Sequence, residues 1–227
     1  MITDDITDRV TDIRARITRA AEQAGRSPSG ITLVAVSKTF PDEDVRTARQ
    51  AGLIDFGESR PQSLAARLEA DPPLSVRWHF VGRLQRNKVD LVRGQATLIH
   101  SVDRMSLATA IAEPMAEEGR VQRVLIQVNI SEDPDKGGFL AEDTRSAVAE
   151  IREMPGISIQ GLMTIPALDA DPAEAFARMR DLRDDLRADF PEVLHLSMGM
   201  SADFETAIHH GATLVRIGTG LFGPRGE

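Results

Sequence analysis

Lys38 stands where a buried strand ends, and it is the residue of this sequence best placed for covalent chemistry. It follows the apolar run 31–37 and precedes a Thr-Phe-Pro-Asp segment, which is typical of a parallel strand that stops at a turn. Because strand side chains alternate between faces, Lys38 shares its face with Val34 and Val36. An amine partly removed from water loses its proton more readily and becomes a nucleophile toward carbonyl carbons. The alternative is a lysine that extends from the strand end into solvent.

Two loops near the end of the sequence have the residue types that bind phosphate. The last apolar run leads into the glycine-rich segment 218–223, whose backbone N–H groups could face an anion without hindrance from side chains. The preceding run leads into the segment 197–203, where the hydroxyl of Ser201 could donate at the start of a short helix. The GxGxxG spacing of 218–223 does not predict a dinucleotide-binding unit, because only four residues follow Gly223. Turn glycines that simply close the fold are the alternative.

Arg216 and His79 are polar residues on predicted strands. Arg216 shares a face with Gly218, and an arginine on an interior face needs an anion or another acceptor. A bound ligand could supply that acceptor, and an internal salt bridge is the alternative. His79 taken alone is more often a hydrogen-bonded core histidine than a catalyst. His209 and His210 lack the spacing and partners of a metal site, so we predict no bound metal.

Eight apolar runs alternate with helical patterns and must position these residues. The runs cover 31–37, 54–57, 76–81, 98–102, 123–130, 157–164, 194–198 and 213–217. Helices are predicted over 4–24, 42–51, 59–70 and from Pro172 with Asp171 as N-cap, while 85–93 and 202–210 could be one or two helical turns. The pattern favours an α/β fold, a (β/α)₈ TIM barrel with an extra N-terminal helix, and a doubly wound open sheet is the alternative. In both architectures the active groups gather at the C-terminal strand ends.

Composition limits the classes of protein that fit. The chain has 227 residues with 41% hydrophobic content, and we expect one domain over 1–227. A net charge of −8 argues against nucleic-acid and anionic-membrane partners, and no apolar run approaches the roughly 20 residues of a membrane span. Cysteine is absent, which excludes disulfides and thiolate chemistry, and the start of the sequence lacks the basic residues of a signal peptide. We therefore expect a cytoplasmic protein.

Several segments, in order along nearly the whole chain, resemble one family, the pyridoxal phosphate homeostasis proteins (YggS/PROSC). The matching segments are Leu33–Thr39, Phe56–Glu58, His79–Gly82 with Leu84-Gln85 and Asn87-Lys88, Val128–Ile130, Gly161–Pro166, Leu196–Ser201, and Val215–Thr219 with Phe222-Gly223. One position departs from the family: this chain has Gly57-Glu58-Ser59 where the family usually has Gly-Glu-Asn. The resemblance therefore carries no amide contact over to Ser59.

The resemblance implies a barrel like the N-terminal domain of alanine racemase, with pyridoxal 5′-phosphate (PLP) held as a Schiff base on Lys38. It implies that Ser201, Gly218 and Thr219 hold the phosphate and that Arg216 faces the pyridine nitrogen. Further positions expected near the cofactor are Ser59, His79, Asn129 and Met163.

The arginine affects the expected chemistry. A carboxylate beside the ring nitrogen keeps it protonated and makes PLP a strong electron sink, whereas a cationic arginine disfavours carbanion formation. The resemblance implies a PLP-binding protein of intracellular PLP (vitamin B6) and amino-acid homeostasis, and the arginine favours such a protein, without catalytic residues, over an enzyme. We expect a monomer whose partners are PLP and apo PLP-dependent enzymes.

Two enzymatic functions are the alternatives. A PLP-dependent amino-acid racemase of the alanine racemase type needs acid/base groups on both faces of the substrate carbon. In alanine racemase a tyrosine of a second domain serves one face; this chain has no tyrosine, which leaves His79 as the substitute. A Schiff-base aldolase would use the lysine without a cofactor, and it would not explain an arginine in the same cavity.

Overall fold

The computed structural model describes residues 5–69, 75–167 and 170–224, and its eight parallel strands close into one barrel. The strands are β1 (Thr32–Val36), β2 (Asp55–Glu58), β3 (Arg77–Phe80), β4 (Leu98–Val102), β5 (Gln122–Gln127), β6 (Ile157–Met163), β7 (His195–Ser197) and β8 (Leu214–Ile217). Each strand pairs with the next one, and β8 pairs in parallel with β1. The predicted barrel is confirmed, and the open-sheet alternative is wrong.

Helices surround the barrel and follow most strands. They are α1 (Ile6–Gln23), α2 (Asp42–Gln50), α3 (Pro61–Leu68), α4 (Met105–Glu117), α5 (Ala141–Arg152), α6 (Pro172–Leu186), α7 (Phe204–His209) and α8 (Thr219–Phe222), with short 3₁₀ helices at Pro28–Gly30 and Arg86–Leu91. The extra N-terminal helix packs against α7 and α8. No helix in the described ranges is both long and apolar enough to cross a membrane.

Local signals account for several helix boundaries. The Oδ1 atom of Asp171 accepts the N–H of Ala173 at 2.9 Å, which confirms the predicted cap of α6. Helix α3 begins at Pro61 rather than at Ser59, because proline suits the first helical position and restricts the residue before it. Residues 4 and 70, the predicted limits of two helices, lie outside the described residues.

Some predicted boundaries are corrected. Strand β5 ends at Gln127 rather than at residue 130, because the chain there leaves the sheet and Val128 forms only an isolated bridge with Phe139. The helix after strand β7 begins at Phe204, so Ser201 precedes it by three residues and does not cap it. The hydroxyl of Ser201 instead contacts Thr219 and Gly220.

Apolar side chains fill two regions. The larger core lies between the strands and the helices. A smaller cluster fills the barrel interior with Val34, Leu98, Leu125, Met163 and Leu214, all less than 10% exposed. Since Val34 points inward, the alternation along β1 directs Val36 toward the barrel axis as well, and Lys38 follows two residues after the end of the strand.

Candidate functional site

Closure of the barrel brings Lys38 beside the glycine-rich loop. In the register of β1 and β8, Val34 lies opposite Arg216 and Ala35 lies opposite Ile217. Just beyond these pairs, a Cβ atom placed on Gly218 would lie 3.3 Å from the carbonyl oxygen of Val36. The C-terminal ends of the first and last strands therefore meet, although they are about 180 positions apart in the sequence.

Lys38 lies in a tight turn. The N–H of Phe40 donates to the carbonyl of Ser37 at 3.1 Å, which places Lys38 and Thr39 at the two central positions. Thr39 has φ +70°, a value that a type II turn requires at its third residue and that a β-branched side chain rarely adopts. Backbone strain of this kind costs of order 1–3 kcal/mol and occurs where the surrounding structure enforces it.

Arg67 of α3 forms hydrogen bonds to this turn from outside the barrel. It is 8% exposed, and its Nη2 atom donates to the carbonyls of Ser37 at 3.0 Å and Phe40 at 2.7 Å. Its Nε atom donates to Glu58 Oε1 at 2.8 Å, and its Nη1 atom donates to Asp42 Oδ1 at 2.5 Å. Both ends of the turn that carries Lys38 are thus held by one guanidinium. Sequence reasoning missed Arg67; the signal was an arginine three residues after Leu64, on the apolar face of a helix.

The hydroxyl of Ser201 joins the two predicted phosphate loops. Its Oγ atom accepts the N–H of Gly220 at 3.2 Å and the hydroxyl of Thr219 at 3.3 Å, so its own proton is free to point elsewhere. A Cβ atom on Gly220 would approach Ile217 Cγ2 to 3.0 Å and Ser201 Oγ to 3.4 Å, so only glycine leaves this space open. Hydroxyl groups, backbone N–H groups and space for oxygen atoms are what a phosphate needs, and the residues fit such a group.

Arg216 is a buried cation whose hydrogen-bond partners, among the residues that the structure describes, are uncharged. Its Nη1 atom donates to Ser197 Oγ at 2.6 Å and its Nη2 atom donates to the carbonyl of Thr164 at 2.9 Å. Within the described part of the chain no carboxylate lies at salt-bridge distance from it, so the internal salt bridge proposed as the alternative is not formed there. Burial lowers the pKa of Arg216 to about 10, with a small opposing effect from Asp203. The group is therefore cationic near neutral pH and keeps N–H donors for a ligand with an acceptor atom.

His79 lies deep in the barrel rather than at the Lys38 turn. Its Nε2 atom is 3.0 Å from Asp55 Oδ1, and its Nδ1 atom is 2.9 Å from His100 Nε2. Both ring nitrogens therefore already have partners. His100 is completely buried, which lowers its pKa well below the ordinary value, and the nearby positive charge of Arg216 lowers it further. Sequence reasoning missed Asp55 and His100, although polar residues inside predicted apolar runs were the available signal.

The other three residues expected near a cofactor lie in surroundings of their own. Met163 is 1% exposed and belongs to the interior apolar cluster. The side chain of Asn129 donates to the carbonyl of Asp133 at 2.7 Å and accepts the N–H of Asp133 at 3.1 Å, which folds its own loop. Ser59 lies on an open groove of about 650 Å³ that also contains Lys88. The structure thus places Lys38, Arg216, Gly218, Thr219 and Ser201 around the adjoining ends of β1 and β8. Met163 lies in the apolar cluster, Asn129 in its own loop and Ser59 at the groove.

The fold and this grouping define a barrel of the alanine racemase type. Residues 10–226 match the family model described as alanine racemase, N-terminal domain. A solved structure from Bifidobacterium adolescentis, titled as an unknown protein, has a TM-score of 0.89 at 33% identity and covers 95% of this chain and 94% of its own. The PipY protein of Synechococcus elongatus, solved with PLP bound, has a TM-score of 0.84 at 33% identity over 96% of this chain and 100% of its own.

Relatives with known names identify one family among the proteins with this type of barrel. A pyridoxal phosphate homeostasis protein of Aquifex aeolicus is 43% identical over 222 residues, which cover 96% of this chain and 97% of the relative. The chain belongs to the pyridoxal phosphate homeostasis protein family, as the seven matching segments predicted.

Proposed function

We propose that this protein binds PLP as a Schiff base on Lys38, holds it and releases it, and so takes part in PLP and amino-acid homeostasis. The observation that carries the proposal is the convergence of three groups where β8 meets β1. These are the Lys38 turn, the hydroxyl and glycine loop around Ser201, and the buried cation of Arg216. The PLP seen in PipY, a relative of nearly the same length, supports the choice of ligand.

Lys38 supplies the covalent attachment. Its Nζ atom adds to the aldehyde carbon of PLP, a carbon–nitrogen double bond forms, and the aldehyde oxygen leaves as water, so no oxidant or reductant is needed. The strained turn and the Arg67 contacts restrict where the amine can lie. A restricted amine loses less conformational entropy when the bond forms.

The remaining groups fix the rest of the ligand. Ser201, Gly218 and Thr219 hold the phosphate through hydroxyl and backbone donors, and Arg216 donates to the ring nitrogen. When bound, PLP supplies an electron sink whose strength depends on protonation of that nitrogen. Because Arg216 has a pKa of about 10 and stays cationic near neutral pH, it does not favour a second positive charge on the adjacent ring nitrogen.

These features favour a carrier over a racemase. The sequence has no tyrosine, and both ring nitrogens of His79 are engaged by Asp55 and His100. A second acid/base group opposite Lys38 is therefore missing from the residues that sequence reasoning put forward for it. The names of the curated relatives describe homeostasis, which supports the same conclusion.

The attachment is testable because the sequence has only three lysines, Lys38, Lys88 and Lys136. Purified protein incubated with PLP should be yellow, and borohydride reduction followed by peptide mass spectrometry should place the adduct on Lys38. K38A should lose the colour and the adduct. K88A and K136A are the matched controls and should keep both. An adduct on either control lysine, or none at all, would contradict the proposal.

Release is tested with an apo PLP-dependent enzyme. Holo-protein freed of unbound PLP should restore activity when mixed with the apo-enzyme, whereas K38A carried through the same purification should not. A holo-protein that keeps all of its PLP in the presence of the apo-enzyme would refute the carrier role.

A further inference from the structure

A continuous series of hydrogen bonds crosses the interior of the barrel. We call it the interior chain, and its members are Arg77, Asp55, His79, His100, Ser197 and Arg216. Arg216 Nη1 lies 2.6 Å from Ser197 Oγ, which lies 2.8 Å from His100 Nδ1. The other ring nitrogen of His100 continues to His79 at 2.9 Å. From His79 the series continues to Asp55 at 3.0 Å, and Arg77 closes it with two bonds of 2.8 and 2.6 Å.

The interior chain links the two ends of the barrel. Asp55 and Arg77 begin strands β2 and β3, and with His79 they border a cavity of about 190 Å³ at the N-terminal end. Arg216 lies on the last strand, next to the proposed PLP site. Asp55, His79, His100 and Ser197 are each less than 10% exposed, whereas the side chain of Arg77 is 54% exposed. The interior chain thus joins a buried cation to a carboxylate at the opposite opening.

One arrangement of protons satisfies every member. The guanidinium of Arg216 can only donate, so Ser197 Oγ accepts from it, and the hydroxyl proton of Ser197 then finds its acceptor in His100 Nδ1. His100 must carry its proton on Nε2 and donate to His79 Nδ1. In the reverse arrangement the Ser197 proton has no acceptor among the described residues, and such a buried group is costly.

The carboxylate end favours the same arrangement. With His100 donating to its Nδ1 atom, His79 carries its proton on Nε2 and donates to Asp55. Burial raises the pKa of Asp55, but the hydrogen bonds from His79 and Arg77 outweigh burial and lower it overall. Asp55 is therefore an ionised acceptor at neutral pH. Burial also lowers the pKa of His100 and keeps it neutral, as the arrangement requires.

We propose that Asp55, His79, His100 and Ser197 are positioning residues for Arg216, acting through a chain of hydrogen bonds that runs in one direction from the guanidinium to the carboxylate. Without it, Arg216 would keep only the Thr164 carbonyl among its observed partners. The direction of the hydrogen bonds in the interior chain does not depend on whether PLP binds. The effect of the interior chain on PLP affinity rests on the proposed function.

The direction is tested on protein without PLP by nitrogen-15 NMR of the histidine rings. We expect His79 and His100 to be neutral Nε2–H tautomers at pH 7, assigned by comparison with variants that lack one histidine each. A protonated His79 ring, or Nδ1–H tautomers, would overturn the direction. This result does not depend on whether PLP binds.

The positioning role is tested with D55N, which removes the charge and keeps the shape, and with S197A, which removes the bond to Arg216. S197A should raise the Kd for PLP by roughly tenfold, the effect of losing one net hydrogen bond of about 1.4 kcal/mol. D55N, whose amide oxygen still accepts from His79 but carries no charge, should raise it by a smaller factor. Each should also shift the visible absorption maximum of the bound PLP, which a loss of stability alone would not move.

H195Q is the matched control. His195 borders the same cavity but bonds to Thr213 at 3.2 Å rather than to the interior chain. It should change neither the Kd nor the spectrum. If D55N and S197A bind PLP with the affinity and spectrum of H195Q, the positioning role is wrong while the proposed function stands. If wild-type protein binds no PLP, the proposed function fails, and the NMR result still decides the direction of the chain.

Discussion

The ring of Phe40 stacks on the ring of Phe222, with centroids 5.0 Å apart and planes at 29°. Phe40 closes the turn that contains Lys38, and Phe222 ends the short helix that follows Gly218. The contact therefore ties the loop with the reactive amine to the loop that we expect to hold the phosphate. Two loops from opposite ends of the chain are fixed relative to each other by one aromatic pair.

Replacing Phe40 by leucine should weaken the contact between the two loops. An aromatic pair contributes about 0.5–1.5 kcal/mol beyond its buried area, so F40L should release PLP several times faster with little change in fold. Stopped-flow capture of released PLP by an apo-enzyme measures the rate. F190L, which changes a phenylalanine outside the Lys38 turn, is the control. Equal release rates in the two variants would show that the stacked pair has no role in retention.

The phosphate loop is tested by changing one hydroxyl. S201A should weaken PLP binding by roughly tenfold or more, because a hydrogen bond to a charged group contributes about 1.5–3 kcal/mol. Binding of pyridoxal, which lacks the phosphate, should be weak in wild type and unchanged in S201A. The control S131A removes a hydroxyl that accepts the N–H of Ala167. Titrations that give wild type equal affinity for PLP and pyridoxal would exclude a phosphate site at this loop.

Replacing Thr39 by glycine should stabilise the folded protein, although most substitutions by glycine destabilise a protein. A left-handed backbone costs a residue with a Cβ roughly 1–2 kcal/mol, and glycine gives back about 0.5–1 kcal/mol in backbone entropy, so T39G should unfold at higher denaturant concentration. T47G, within helix α2, is the matched control and should unfold at lower concentration. A destabilised T39G would show that contacts of the Thr39 side chain outweigh the strain. We also expect T39G to hold PLP less tightly, because the Lys38 turn becomes less restricted.

We predict that the protein with bound PLP turns over amino acids at a negligible rate. Under PLP saturation, deuterium from solvent should enter the α-carbon of alanine or serine far more slowly than the about 1–10³ events per second of ordinary enzymes. The physical reason is the cationic Arg216 at the proposed ring-nitrogen position, together with the lack of tyrosine in the sequence and the engagement of both His79 ring nitrogens. Proton NMR in deuterated buffer measures the exchange, and a commercial alanine racemase is the positive control. Exchange at enzymatic rates would replace the carrier role with the racemase alternative.

His100 should make the protein sensitive to mild acid. Its pKa is lowered well below the ordinary value of about 6.5 by burial, so below pH 6.5 the unfolded chain binds a proton that the folded chain does not. The free energy of unfolding should therefore fall by up to about 1.4 kcal/mol per pH unit for this residue as the pH drops from 6.5 toward the folded-state pKa. Denaturant titrations at several pH values should show a smaller slope in H100Q. His195, whose pKa burial and Arg183 also lower, acts in the same direction, so H195Q should reduce the slope as well.

The sequence determined what depends on neighbours along the chain. Alternating apolar residues and a proline turn located the end of β1 and placed Lys38 there. The glycines of 218–223 and the spacing of eight strands with intervening helices predicted the loop and the barrel. These features follow from side-chain periodicity and turn chemistry, which act over a few residues.

Only the tertiary structure decided which residues meet across the barrel. The pairing of β8 with β1 brings Gly218 to the end of the first strand, and Arg67 reaches back to the Lys38 turn from a later helix. The interior chain from Arg216 to Asp55 joins five different strands, and it engages the histidine that sequence reasoning had considered for a second base. Strand tilt, register and barrel closure bring such partners together, and these properties belong to the whole sheet, so no local pattern along the chain encodes them.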